Sequence, residues 1–408
     1  MSCQSCKQTC RSQLNKKEII GWRFDYSKLF RWLFLITLLF GYWLGQGLNT
    51  PNYLSQLQHI YPNSDIIPLE GYNNLWSVKK EKKGKQVFET AILTKENSYG
   101  GPLLLVTLYD TKGKITRLDI LANNDTPAYI QKLYNHRYLN QFLNKQVIDE
   151  KSHQSFDAVS GATISSTAIM RAHYRGLEQA SVISFGTQQT LIKQELNLEN
   201  QHFVLIGFVI LALLSQVIKH PAYKLILAIM SLGGMGFWLN QMISVSYFSA
   251  VLLGYTPSIY ENLSFWIICG SVLVAIIVLG RNIYCGNICP FSALQFLISK
   301  LTGLNFPIPR YIKRYGSYLP KFGLWLALFT GLLTTVPIAG TYEPFSMIFS
   351  LEGIGIQWAI LPIFVIGSVF VPKLFCRYFC PAGQGLDYLV LGRNWLVTLI
   401  KRKRTKNE

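Results

Sequence analysis

Four of the eight cysteines form two copies of one pattern, Cys285-Gly286-Asn287-Ile288-Cys289-Pro290 and Cys376-Arg377-Tyr378-Phe379-Cys380-Pro381. A C-x3-C spacing sets two thiolates on one face of a helical turn, and two such pairs give four soft ligands. Three chemistries use that set: iron–sulfur ligation, thiol–disulfide exchange and structural zinc. The proline after each second cysteine restricts its conformation, as does the proline ending many iron–sulfur ligand runs, which favours the first. Cys3, Cys6 and Cys10 make a further C-x2-C-x3-C run that could add ligands, although no fourth cysteine is near. Cys269 lies inside an apolar run and reads as a packing residue.

A second centre lies in Asp157-Ala158-Val159-Ser160-Gly161-Ala162-Thr163-Ile164-Ser165-Ser166-Thr167. Small residues precede Thr163, and the segment after it has apolar residues at helical spacing (Ile164, Ala168, Ile169, Ala172). A threonine hydroxyl would thus stand at a helix N-terminus, where unpaired N–H groups and the dipole favour a phosphate. Thr163 is well placed to carry a phosphate ester. The alternative is an ordinary Ser/Thr cap in a glycine turn.

What must position these residues follows from hydropathy and charge. Half of the 408 residues are hydrophobic, and long apolar runs at roughly 31–48, 202–218, 223–240, 262–280, 322–339 and 355–372 each approach the length needed to cross ~30 Å of hydrocarbon. The net charge is +18, yet its distribution is not that of a nucleic-acid surface. Lysine and arginine crowd the segment before the first run, the alternate connections and the KRKRTK tail, whereas 241–261 and 340–354 contain neither. This positive-inside pattern predicts both termini in the cytoplasm and the stretch 49–200 outside it. The expected fold is a membrane protein, an all-α six-span transmembrane bundle with an inserted α+β extracytoplasmic domain. The expected division is a basic, Cys-containing cytoplasmic tail (1–30), a first transmembrane helix acting as an uncleaved anchor (31–48), the exported domain (49–200), a five-span membrane domain holding both CX3CP motifs (201–380) and a basic tail (381–408). Within the exported domain, VFETAILTK, PLLLVTLYD and KITRLDILA read as strands, TKGK at 111–114 as a hairpin turn, and 127–143 as a helix opened by Pro127.

Three motifs in order, Ser98-Tyr99-Gly100-Gly101-Pro102, Asn124-Asp125-Thr126-Pro127 and Asp157–Thr163, resemble the FMN-binding domain of Na+-translocating and Rnf-type redox complexes. The same domain occurs in NosR-like and reductive-dehalogenase-associated membrane flavoproteins, which pair it with two CX3CP motifs at span ends. The resemblance covers about residues 86–180. It implies FMN held covalently by a phosphoester on Thr163, with Ser160, Gly161, Ala162 and Thr126 in the cofactor site. It also implies that Asp157 helps bind the metal needed by the flavin transferase that makes the ester outside the cytoplasm. The family usually has Glu-Thr-Pro-Gly where this chain has Asp125-Thr126-Pro127-Ala128, a difference that bears on the isoalloxazine pocket. For the cysteines it implies one or more iron–sulfur clusters on Cys285, Cys289, Cys376 and Cys380.

The expected function is transmembrane electron transfer in the bacterial inner membrane. Cytoplasmic-side or quinol donors would reduce a periplasmic reductase or electron carrier through the iron–sulfur centres and the FMN, with a quinone, or another cofactor or subunit, bridging the membrane interior. The alternative is a redox-sensing regulatory or maturation factor for a periplasmic respiratory enzyme. Lipid, the flavin transferase, the reductase and the quinone pool are the expected partners, and nucleic acid is not. His202 and His220 stand too far apart for a haem between helices, and no C-x2-C-H, nucleotide-binding glycine loop or Ser-His-Asp arrangement is present. Asp387 and Glu343 read as solvated positions at the ends of apolar runs.

Overall fold

The computed structural model describes residues 26–49, 53–82, 85–98, 100–125, 127–145, 158–159, 162–185, 196, 198–218, 220–260, 262–304, 306–350 and 357–407. Helix α1 (Tyr26–Leu48) is followed by α2 (Tyr53–Ile60) and a meander of strands β1 (Ser64–Pro68), β2 (Leu75–Lys82), β3 (Lys85–Ser98), β4 (Gly101–Asp110) and β5 (Ile115–Ala122). All neighbours pair antiparallel in the order β1-β2-β3-β4-β5. The β4–β5 turn falls at 111–114, where Gly113 takes φ +75° and Asp110 Oδ1 accepts the N–H groups of Lys112 and Lys114 at 2.9 and 2.8 Å.

The continuous apolar run of β4 has a simple cause: both faces of the strand are covered. Leu103 and Leu105 pack under α3 (Pro127–Asn135) and α4 (Thr163–Phe185), against Ile130, Leu133, Ile169 and Ala172. Leu104, Val106 and Leu108 point the other way, onto Leu57 and Tyr61 of the α2 region. The helix expected over 127–143 ends at Asn135, Arg137 turns to φ 51°, and a 3-10 turn spans Tyr138–Phe142. The sheet also begins earlier than the expected start near Val87, with β1 and β2 added on its edge.

The remaining elements are α5 (Asn200–Leu214), α6 (Pro221–Met230) continued by a π-helical stretch (Ser231–Trp238), α7 (Val245–Leu253), α8 (Leu263–Leu279), α9 (Pro290–Thr302), α10 (Arg310–Gly316), α11 (Leu319–Thr334), α12 (Phe345–Ser350), α13 (Gln357–Phe370), α14 (Leu374–Tyr378) and α15 (Pro381–Asn407). Their core gathers Ile268, Val272, Ile276, Tyr284, Phe291, Phe364 and Phe375 around Cys289 and Cys380. Helix α1 joins this unit by packing on α11, where a Cβ at Gly45 would lie 2.3 Å from the Leu332 carbonyl oxygen.

The six-span transmembrane bundle is not what the chain forms. Among the described residues no helix is long and apolar enough to cross a membrane. The apolar runs are cut short or diluted. Helix α8, at 17 residues, reaches only about 25 Å at 1.5 Å per residue. Helix α13 has 14 residues with Pro362 inside, and α11 stops where Thr335 adopts φ 56°. Helix α1 has 23 residues, but Gly41, Gly45 and Gln46 interrupt its apolar surface. The architecture is an antiparallel five-stranded sheet unit with helices, followed by a helical unit of short segments.

Candidate functional site

Thr163 is the first residue of α4, a 23-residue helix. The first turn is stitched together by Ser166: its N–H donates to the Ala162 carbonyl at 2.9 Å, its hydroxyl donates to the same oxygen at 2.7 Å and accepts the Val159 N–H at 3.1 Å. Because the first i→i−4 bond runs from Ser166 to Ala162, the N–H groups of residues 163–165 are the donors that an α-helix leaves for an outside acceptor. Ala162 is buried in the core under α4. Asp157, Ser160, Gly161 and Thr126, expected to share this site, lie outside the described residues, as do Cys3, Cys6 and Cys10.

Asp125 organises the site, and sequence reasoning favours its neighbour Thr126 instead. Its carboxylate is 5% exposed. Oδ2 accepts the hydroxyls of Ser98 and Ser165, each at 2.5 Å, and Oδ1 accepts the Gly100 N–H at 2.6 Å. One side chain thus ties the end of β3, the β3–β4 turn and the first turn of α4 together. Burial holds its carboxyl above the usual range, and the three donors work against that shift. Gly100 is required: a Cβ there would fall 1.9 Å from the Asn124 carbonyl oxygen. Further along α4, Arg171 and Arg175 both pair with the buried Glu96 of β3, at 3.3 and 2.7 Å. A helix N-terminus with an attachable hydroxyl residue, beside a glycine turn held by a buried carboxylate, fits a phosphate-bearing cofactor.

The second centre is built twice from one local plan. Cys285 lies in a π turn (Tyr284–Ile288), and the Cys289 N–H closes onto the Tyr284 carbonyl at 2.9 Å. In the other copy the Cys380 N–H closes onto the Phe375 carbonyl at 2.9 Å, the same five-residue span. In both, the proline after the second cysteine opens the next helix, α9 or α15, a position that needs no N–H. The copies then cross. Gln295 of α9 donates Nε2–H to Cys376 Sγ at 3.3 Å, while a Cβ at Gly383 of α15 would lie 3.4 Å from both Cys285 and Cys380 Sγ.

All four cysteines line one cavity, together with Ile243, Tyr284 and Gly383. They are free thiols, and among the described residues no three metal-ligating side chains close on a single ion. Four cysteine sulfurs lining one cavity are a donor set that a 4Fe-4S cluster uses, and Gly383 leaves open space that a side chain would fill. Three N–H···S contacts of 3.3 Å, from Asn282 Nδ2 to Cys285, Gln295 Nε2 to Cys376 and Gly383 N to Cys380, supply the sulfur hydrogen bonding typical of such sites. Burial pushes every thiol up, Cys289 to about 12, and neighbouring negative charge adds to this at Cys285, Cys289 and Cys380. Four thiolates here need a compensating cation, so metal binding would release protons.

Glu343 is not a solvated position: it is 2% exposed and joins two helix N-termini. Its Oε2 accepts the Ser244 hydroxyl at 2.5 Å and the Val245 N–H at 2.9 Å, and Oε1 accepts the Ala382 N–H at 3.2 Å. His202 and His220 also serve helix starts, accepting the N–H groups of Glu199 and Ala222 at 3.0 and 3.3 Å. A buried glutamate in a loop and a histidine as N-cap carry no spacing signature, which is why sequence reading misses these roles.

Two stretches of the chain match known domains. Residues 99–178 match the FMN-binding domain, and residues 263–309 and 358–406 match a 4Fe-4S binding domain, one stretch for each CX3CP copy. The chain therefore joins an FMN-binding domain to a ferredoxin-like 4Fe-4S domain, a combination that supports an electron-transfer or redox-related role. Its homologues include NosR-like proteins at modest identity over part of the chain. Regulatory protein NosR of Stutzerimonas stutzeri is 31% identical over 140 residues, covering 32% of this chain and 19% of that protein. Protein NirI of Paracoccus denitrificans is 26% identical over 167 residues, covering 37% of this chain and 24% of that protein. A component of the proton-translocating ferredoxin:NAD(+) oxidoreductase complex of Clostridium ljungdahlii is 25% identical over 111 residues, or 26% of this chain and 60% of that protein. The matched region thus spans a quarter or less of the NosR and NirI relatives.

Proposed function

We propose that this chain transfers electrons between a 4Fe-4S cluster on Cys285, Cys289, Cys376 and Cys380 and an FMN joined by a phosphoester to Thr163. The observation that carries the reading is the cavity lined by all four cysteines of two motifs about 90 residues apart, with donors aimed at three of the sulfurs. The cluster supplies one-electron transfer, and the flavin joins one-electron to two-electron partners. The chain's own residues do the holding. Asn282, Gln295 and Gly383 stabilise negative charge on sulfur, the first turn of α4 receives the phosphate, and Asp125 fixes that turn against Gly100. Covalent attachment keeps the flavin at high effective concentration beside its partners.

The flavin unit works outside the cytoplasm in this reading, where a flavin transferase acts with the help of Asp157, and electrons leave to an exported reductase or carrier. A quinol is the membrane-side donor. Exposed apolar side chains of the helical unit, such as Leu273, Val274, Ile277 and Val278 on α8, would rest against lipid. The test is a denaturing gel of purified protein under ultraviolet light, with iron and sulfide assayed in the same sample. Covalent flavin fluorescence absent from Thr163→Val, and iron lost from Cys376→Ala, support the reading. Wild-type protein from a host with the transferase that carries no covalent flavin defeats it.

A regulatory role is the second reading, favoured by the NosR relatives, which are named as regulatory proteins. Turnover separates the two: a carrier reoxidises its flavin at the rate its acceptor is reduced, whereas a sensor does not.

A further inference from the structure

Glu343 reaches the second cysteine motif from outside it. It lies in the connection between α11 and α12, beside Tyr342, and the two consecutive residues grip the main chain on either side of Cys380. Tyr342 Oη donates to the Phe379 carbonyl at 2.6 Å, and Glu343 Oε1 accepts the Ala382 N–H at 3.2 Å. Pro381 has no N–H, and that of Gly383 bonds Cys380 Sγ at 3.3 Å. The first motif repeats one half of this arrangement. Ser231 Oγ donates to the Ile288 carbonyl at 2.6 Å, so in both copies an outside hydroxyl holds the carbonyl before the second cysteine. The other half differs. In the first motif the matching N–H groups, those of Phe291 and Ser292, are directed at Cys289 Sγ itself. In the second, Glu343 has taken one of the pair, and its carboxylate is the foremost charge acting on Cys380.

We propose that Glu343 is a positioning residue that keeps the Cys380 sulfur electron-rich, and the cluster's reduction potential low, by withholding an N–H from that sulfur and standing a buried acid beside it. This deepens the electron-transfer reading and rests on its cluster. Hydrogen bonds to the sulfurs raise a cluster's potential, because reduction adds negative charge that N–H dipoles stabilise. A nearby carboxylate acts the other way. Glu343 is held firmly in this place: Oε2 accepts the Ser244 hydroxyl at 2.5 Å and the Val245 N–H at 2.9 Å, at the start of α7. The preceding Ile243 N–H donates to Tyr284 Oη at 2.7 Å, next to Cys285. One short segment thus braces both motifs, and the position of Glu343 is fixed relative to the first copy as well as the second. A buried carboxylate carries a desolvation penalty that an apolar residue of its size would avoid, so packing alone does not account for it.

The experiment uses the full chain with its cluster, as wild type, Glu343→Gln and Glu343→Ala. Iron and sulfide are counted, and the anaerobic proteins are equilibrated with a one-electron redox dye of known potential at a single pH. Glu343→Gln removes the acid with little change of shape, and Glu343→Ala also releases the Ala382 N–H toward Cys380. In both, the equilibrium constant for reducing the cluster is expected to rise several-fold. A residue of purely structural importance would lower thermal stability and leave that constant where it was. A constant unchanged, or shifted toward the oxidised cluster, in either variant that keeps its iron would overturn the proposal. Should Glu343→Ala lose its iron, Glu343→Gln decides alone; loss from both would make Glu343 a residue of the fold and overturn the proposal as well. Wild-type protein that purifies from iron-replete cells without iron and sulfide defeats the underlying cluster reading instead, so the two failures are distinct.

Discussion

Replacing Asp125 with alanine tests the architecture of the flavin site, and the structure sets the scale of the effect. The carboxylate is the acceptor for Gly100 N–H, Ser98 Oγ and Ser165 Oγ. Once it is gone, the two hydroxyls can rotate toward other acceptors, but the buried Gly100 N–H cannot. An unsatisfied buried donor costs ~1–3 kcal/mol, and with a smaller loss at the two hydroxyls the total is ~2–4 kcal/mol. At 1.4 kcal/mol per tenfold, local opening rises ~30- to 700-fold. Hydrogen exchange followed by mass spectrometry reads this directly on peptides covering 100–104 and 162–168, with the strands β2 and β3 as internal reference. Both peptides should lose protection together, because one carboxylate serves both, and covalent flavin yield should fall with them. Unchanged protection of the 162–168 peptide would refute the coupling, and loss confined to the 100–104 peptide would show that Ser165 does not depend on Asp125.

Other outcomes follow from the same contacts. Burial raises the Asp125 carboxyl above its unfolded value, so its contribution to the turn is full below that value and declines as pH rises through the folded one; Asp125→Asn should flatten the pH profile of exchange in the 162–168 peptide. Gly383→Val should purify with most of its iron missing, because its added atoms enter space 3.4 Å from two sulfurs, whereas Gly286→Ala, whose Cβ meets nothing within 4 Å, should keep it. Gln295→Leu removes the N–H bond to Cys376 and the acceptor for Phe375 N–H; the cluster potential should drop, since sulfur hydrogen bonds favour the reduced state, and stability should fall by ~1–3 kcal/mol in thermal unfolding. Chelation of iron under reducing conditions should destabilise the helical unit and leave amide protection of β3 and β4 unchanged, because the sheet has its own core.

Period and turn chemistry make the sheet unit largely legible. The apolar, β-branched runs read as strands and the glycine of the 111–114 turn have local meanings that the structure keeps in β3, β4 and β5. β1 and β2 escape a reading of the letters because Leu75–Lys82 ends in a charged run that resembles a loop until β3 pairs with it. The cysteine motifs reveal which residues could act together, and folding adds how: each copy lends its following helix to the other copy's first cysteine, a long-range relation with no local signal. Asp125 and Glu343 are invisible for the same reason, since a carboxylate that bonds three backbone or hydroxyl donors looks like any surface acid in a string of letters. The helical unit shows the opposite error. Apolar runs read as spans because hydropathy counts residues, whereas the folded chain spends them on short helices, a π-helical stretch and proline-opened starts. The positive-inside bias is a property of the loops and does not reveal where each helix stops.

Exchange of electrons between cluster and flavin within one chain is tested most directly by rapid mixing. The anaerobic full-length protein is mixed with a one-electron donor, and cluster and flavin absorbance are followed together in wild type and in Cys376→Ala. In the wild type, cluster bleaching should come first and decay as the flavin is reduced, whereas in Cys376→Ala flavin reduction should slow by orders of magnitude. Flavin reduction at the same rate in both proteins would contradict this intramolecular route.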